Sequence, residues 1–238
     1  MKRASFKDLI IFEDEEYLLI NKPPYISTLE DRDATKTNIL EMAREIYPDI
    51  KVCHRLDKET SGVLALAKTP EAYRHLSIQF EDRNVTKQYH AVVDGVHEFE
   101  GVDVYLPIYA GSDGIVKIDK QKGKIAETIF NTIEVFKKHT LVACYPITGR
   151  MHQIRIHLTC LKAPITCDGQ YGGKPLYLST LKKNFNLKQD TEEMPLIQRV
   201  ALHARSLEFK NSEEMTIFAE APYPKDFEVL VKQLKKYA

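Results

Sequence analysis

Net charge is the first thing this sequence lacks: 34 Lys and Arg stand against 34 Asp and Glu over 238 residues. That balance excludes a protein that grips nucleic acid or membrane by overall basicity, and leaves room for a local basic groove. Cysteine is scarce. The four present, Cys53, Cys144, Cys160 and Cys167, are too few for a disulfide scaffold. None is spaced C-x-x-C, which excludes a zinc ribbon and a thioredoxin-like pair. Long apolar runs are absent too. Val63-Leu64-Ala65-Leu66-Ala67 is far short of a membrane span, and no apolar segment follows the basic start at Met1-Lys2-Arg3. No repeat, low-complexity tract or linker interrupts the chain. The reading is a reduced, cytoplasmic protein without a membrane partner, built as one continuous domain over residues 1–238.

Hydrophobic residues make up 43% and charged ones 29%, enough for a folded core and too apolar for disorder. The zero charge also hides a partition. Residues 1–50 carry net −4, 51–114 net −3, 115–160 net +5 and 161–238 net +2. A lysine-decorated hairpin is the plain reading of the middle block, and polyanion binding is the functional one.

Residues 9–12 and 17–21 read as short strands joined by the acidic turn Glu13-Asp14-Glu15-Glu16. Ile39, Leu40, Met42, Ala43 and Ile46 recur at helical spacing until Pro48. Residues 62–67 form a buried-strand pattern, and Thr69-Pro70 opens a helix to about Glu81. From Thr86 to Ile147 the pattern is β, with strands at 89–93, 102–106, 115–118, 125–136 and 140–145. A helix follows over 151–161, then strands near 200–203, 207–210 and 215–219, and a closing amphipathic helix over 227–237. Hairpins with scattered helices predict an α+β fold on a mixed, largely antiparallel sheet flanked by helices and loops.

Four segments carry polar chemistry. The first is His54-Arg55-Leu56-Asp57-Lys58-Glu59-Thr60-Ser61-Gly62, running into the buried strand. Alone, its aspartate reads as a turn-former and Arg55–Asp57 as a surface pair. The second is Thr148-Gly149-Arg150-Met151-His152-Gln153-Ile154-Arg155-Ile156-His157. Its histidines lie five apart, which points them away from each other on a helix and speaks against a metal pair. Gln153 and the histidines would be costly to bury unpaired, so structural hydrogen bonding is their plain role. The third, Lys87-Gln88-Tyr89-His90-Ala91-Val92-Val93-Asp94-Gly95, and the fourth, Leu202-His203-Ala204, read alone as strands.

Taken in order, these segments resemble the RluA-type pseudouridine synthase family. His54-Arg55-Leu56-Asp57 with Thr60-Ser61-Gly62 is similar to its signature, and Asn21-Lys22-Pro23-Pro24 to its N-terminal motif. Tyr89-x-Ala91 with Gly95 resembles the tyrosine motif, and Thr148-Gly149-Arg150 with His152-Gln153-Ile154-Arg155 and His157 the arginine motif. Pro164-Ile165, Asp168, Tyr171-Gly172 and Leu202-His203-Ala204 continue the match, which spans roughly residues 10–237.

The resemblance implies isomerisation of uridine to pseudouridine in structured RNA, ribosomal or transfer RNA or both. The C1′–N1 bond breaks, the uracil rotates, and C1′ rejoins at C5. Nothing is consumed overall, so neither cofactor nor metal is implied. Asp57 becomes the catalytic carboxylate, attacking C1′ as nucleophile or taking a proton from C2′. Arg155 becomes the guanidinium that favours its charged form, and a bidentate pair would fix the carboxylate's direction. Tyr89 stacks on the target base. That base must leave the helical stack, and Arg55 takes up the vacated space. Thr60 and Arg150 are implied substrate contacts. His54, His152 and His203 are assigned to structural hydrogen bonding. Many relatives carry an extra S4-type RNA-binding domain, for which the position of Asn21 leaves no room. RNA is then expected on the catalytic domain of a monomer, with Lys120, Lys122 and Lys124 on the lip of the groove.

Three positions depart from the family pattern: Tyr25, Lys162 and Cys167 stand where glycine is usual, so altered turns are expected there. Two other classes compete. A non-catalytic RNA-binding or RNA-folding module would not need Asp57, Tyr89 and Arg155 together. A zinc-dependent base deaminase would need a C-x-x-C that is absent.

Overall fold

The structure, a computed structural model, describes residues 5–30, 37–111, 114–187 and 191–237; the first residues of the basic start lie outside them. The chain forms two compact units: residues 1–88 with 203–222, and residues 89–202 with 223–238. In chain order the elements are β1 (Ile10–Glu13), β2 (Tyr17–Lys22), α1 (Ile39–Arg44), β3 (Lys51–Val52), β4 (Ser61–Ala67), α2 (Pro70–Glu81) and β5 (Thr86–Asp94). There follow β6 (Val102–Ala110), β7 (Val116–Ile118), β8 (Lys124–Val135), β9 (His139–Pro146), α3 (Gln153–Cys160), α4 (Leu178–Leu181), β10 (Leu202–Lys210), β11 (Thr216–Glu220) and α5 (Lys225–Lys236).

In the first unit β4 is the central strand, and all seven of its residues are buried. It pairs antiparallel with β2 and β3, and parallel with β10 through His203 opposite Ser61 and Ala204 opposite Gly62. β1 continues the sheet on β2, and β11 pairs antiparallel with β10. The acidic turn before β2 closes because Asp14 Oδ1 accepts from the backbone of Glu16 and Tyr17 at 2.8 and 2.6 Å. α1 starts at a reciprocal cap between Asn38 and Glu41, and α2 at Thr69, whose hydroxyl accepts from Ala72 N–H. The core here gathers Tyr17, Leu19, Val63, Ala65, Leu76, Leu207 and Phe209.

In the second unit β5, β9, β8, β6 and β7 follow one another across an antiparallel sheet. α3 and α5 supply Ile154 and Leu158, and Phe227, Leu230 and Leu234, to a core shared with Val92, Phe130 and Val142. The i, i+3, i+4, i+7 spacing in α5 lays one apolar stripe on that core.

The expected α+β class holds. Among the described pairings only β4–β10 is parallel. Two local readings change. The separate strands read at 200–203 and 207–210 are one strand, because Ser206 pairs with Glu220 of β11 and the Arg205 side chain bonds the same Glu220. α3 begins only at Gln153, since His152 sits in the left-handed region at φ 53°.

Candidate active site

In the first unit the segment from His54 to Ser61 is held at several points. Thr28 Oγ1 donates to the Leu56 carbonyl at 2.9 Å and accepts from its N–H at 3.1 Å. Tyr25 N–H donates to the Lys58 carbonyl at 2.8 Å. Lys22 is fully buried, and its ammonium donates to the carbonyls of Pro23 at 3.1 Å, Ile26 at 2.9 Å and Lys58 at 3.3 Å. A buried cation is tolerated only when so satisfied. It fastens the segment after β2 to the loop that carries Asp57. Within the loop, Thr60 N–H donates to the Asp57 carbonyl at 3.0 Å. Asp57 is half-buried, Arg55 is exposed, and Thr60 is buried, so Thr60 shapes the loop from inside.

Both flanks of the loop rest on histidines. His54 Nε2 accepts from Ala65 N–H at 3.0 Å, with its ring 5.0 Å from that of Phe80. Burial, then the nearby Lys87, pushes its pKa down to about 3, so it stays a neutral acceptor. Ser61 Oγ lies 2.9 Å from His203 Nδ1, and His203 Nε2 reaches the Ala221 carbonyl at 3.1 Å. Gly62, at φ 115°, lies where a Cβ would fall 2.0 Å from the Ala204 carbonyl oxygen. Only glycine lets β4 leave the loop that close to β10.

In the second unit Tyr89 is half-buried on β5 opposite Cys144 of β9, packed against the core. Arg155 lies on α3 with its guanidinium forked onto Asp168, Nε to Oδ2 at 2.7 Å and Nη2 to Oδ1 at 2.8 Å. Nη2 also donates to Gln170 Oε1 at 3.1 Å, and the Tyr171 ring lies 4.8 Å from Cζ. The Tyr171 hydroxyl is 2.8 Å from His152 Nδ1 and donates to the Val116 carbonyl at 3.3 Å. Asp168 is almost wholly buried, so this pair is a desolvated fork that fixes the guanidinium plane. The sequence reading gave Asp168 a place in the motif order and no role.

Gln153 ties the start of α3 to β8. Its Oε1 accepts from Thr148 Oγ1 at 2.7 Å and Arg150 N–H at 2.9 Å, while Nε2 donates to Glu127 O and Thr128 Oγ1 at 2.8 and 2.9 Å. Arg150 itself is exposed, its Nε donating to the Ile125 carbonyl at 3.2 Å. Lys120, Lys122 and Lys124 are exposed together on the turn from β7 into β8. Asp119 forms that turn by accepting from the backbone of Gln121 and Lys122, both at 3.0 Å.

Tyr25, Lys162 and Cys167 have φ of 70°, 59° and 64°. The left-handed backbone that favours glycine is therefore present at all three, each carrying a side chain at a cost of about 1–2 kcal/mol. The turns are strained, where the sequence reading expected them altered.

No group of three or more His, Cys, Asp and Glu among the described residues is placed to hold a metal ion. No helix among them is long and apolar enough to cross a membrane.

Residues 16–159, a span that includes Asp57, Tyr89 and Arg155, match the family described as RNA pseudouridylate synthase. The ribosomal large subunit pseudouridine synthase C of Vibrio vulnificus is 34% identical over 239 residues, 98% of this chain and 71% of that protein. This chain belongs to the RluA-type RNA pseudouridine synthase family. The Escherichia coli K12 protein of the same name is 33% identical, over 98% of this chain and 72% of its own. Among solved structures, human RNA pseudouridylate synthase domain containing 4 superposes with a TM-score of 0.74 at 26% identity. That likeness covers 97% of this chain and 95% of the human one. As a pseudouridine synthase the chain is an isomerase acting on RNA.

Proposed function

We propose that this pseudouridine synthase modifies ribosomal RNA of the large subunit, as a monomeric catalytic domain in the cytoplasm, with Asp57 as its nucleophile or base. The observation that carries the reading is the Asp57 loop. Its main chain is pinned by Lys22, Tyr25 and Thr28, while Asp57 itself keeps an exposed part. A carboxylate presented on so fixed a backbone suits a reaction that needs positioning rather than an added reagent. The printed names of the bacterial relatives support ribosomal RNA as the substrate, and transfer RNA is the other RNA to be tested.

In this reading Asp57 attacks C1′ or removes the C2′ proton as the C1′–N1 bond breaks. Tyr89 stacks on the uracil while it turns, and Arg155 supplies positive charge. The C1′–C5 bond then forms as the Asp57–C1′ bond breaks or, on the other route, as C2′ takes back its proton; the C5 proton leaves and N1 is protonated. Arg55, exposed at the head of the loop, fills the space left by the flipped base; Arg150 contacts the substrate, and the buried Thr60 acts by shaping the loop rather than by touching the substrate. Lys120, Lys122 and Lys124 meet phosphate.

The test is pseudouridine mapping on large-subunit rRNA and tRNA transcripts incubated with the wild-type protein and with Asp57→Asn. The wild type is expected to isomerise specific uridines in the rRNA. The variant should bind equally well and make no product. Wild-type turnover by Asp57→Asn would refute the role of Asp57. Absence of product from the wild type on any cellular RNA would leave a binding module instead.

A further inference from the structure

Tyr25 is a large aromatic residue set on left-handed backbone and left more than half exposed. The ring is 52% exposed, yet the backbone beneath it has φ 70°, in the turn that follows Pro23-Pro24. That second central position of a tight turn favours glycine or asparagine, and a bulky side chain there is rare. The turn is also rigid. Proline fixes φ on its N-terminal side, the Tyr25 N–H is held by the Lys58 carbonyl at 2.8 Å, and the buried Lys22 ammonium ties Pro23 and Ile26 to that same carbonyl. An exposed aromatic is thus mounted on a fixed backbone, hydrogen-bonded to the residue next to Asp57.

We propose that Tyr25 is a substrate-binding residue, a platform on which a nucleobase flanking the target uridine stacks. Flipping one uridine leaves its neighbours partly unstacked, and an aromatic face already in place recovers stacking for one of them without ordering cost. The ring is a sequence-tolerant contact, so it adds affinity for an opened RNA strand and takes no part in bond making.

This rests on the proposed ribosomal substrate, and the experiment separates the two. Tyr25→Phe, Tyr25→Asn and Tyr25→Gly are assayed for pseudouridine formation on a large-subunit rRNA transcript. Asparagine and glycine both accept the left-handed backbone and lack the ring. Both should raise KM about tenfold with kcat within about twofold, as loss of one stacked base requires. Phenylalanine should match the wild type. Thermal midpoints for Asn and Gly at or above the wild-type value exclude misfolding as the cause. Because the chain has no tryptophan, Tyr25→Trp places its single indole at the site. In an Asp57→Asn background that indole should be quenched as the transcript binds. Unchanged KM in the Asn and Gly variants, or an indole signal that stays flat while the transcript binds, would overturn the proposal. Failure of the wild type to isomerise the transcript would instead strike the substrate assignment, and the quenching would still report on Tyr25.

Discussion

The two units differ in charge as much as in content. The first holds 16 basic and 20 acidic residues, the second 18 and 14, so the neutral chain divides into net −4 and net +4. The acidic unit carries Asp57 on a loop fixed by main-chain carbonyls and one buried ammonium. The basic unit carries the lysine turn, and a guanidinium fixed by a buried carboxylate. Each therefore buries a cation among acceptors, main-chain carbonyls around Lys22 and a carboxylate on Arg155. An enzyme on a polyanion has reason for such an arrangement, since positive potential is needed for phosphate and an ionised carboxylate for the sugar.

Breaking the guanidinium side should have the largest effect. Asp168→Ala leaves the Arg155 guanidinium buried without its forked carboxylate, and should cost about 3–5 kcal/mol in chemical denaturation. A loss below about 1 kcal/mol would mean that the pair is not desolvated. The ammonium side comes next. Lys22→Met keeps the apolar stem and removes three donated hydrogen bonds, so about 2 kcal/mol should be lost. Isomerisation should fall further than stability explains, because the Asp57 loop loses its anchor. Equal activity at full folding would show the staple to be dispensable.

The smallest stability change is expected at the surface. Replacing Lys120, Lys122 and Lys124 together by Gln should move stability by less than about 0.5 kcal/mol. It should nevertheless weaken RNA binding and lower the dependence of log K on log salt by about two units. An unchanged salt slope would place the phosphate contacts elsewhere and break the proposed division of labour.

The comparison also explains what could be read from sequence. The elements were legible where local chemistry decides them: Thr69-Pro70 announces α2, and the apolar run after Ser61 announces β4. The positions of three unusual turns were legible, since Tyr25, Lys162 and Cys167 stand where glycine is usual; that each keeps left-handed backbone was not. What stayed hidden depends on distant partners. Arg205 and Ser206 look like a break until β11 is beside them. The fork of Arg155 onto Asp168, 13 residues along the chain, is one such pairing. Lys22 enters the sequence reading only within the motif Asn21-Lys22-Pro23-Pro24, with no role of its own. Nothing local says that three carbonyls will converge on it.

That ammonium has a further consequence. Among the described residues Lys22 is the one lysine with no exposed surface, sealed under the same main chain that presents Asp57. An acylating reagent should therefore modify the other described lysines first and reach Lys22 only when the segment around it opens. The rate at which that single amine reacts becomes a clock for the opening of the Asp57 loop, readable by mass spectrometry without any substitution.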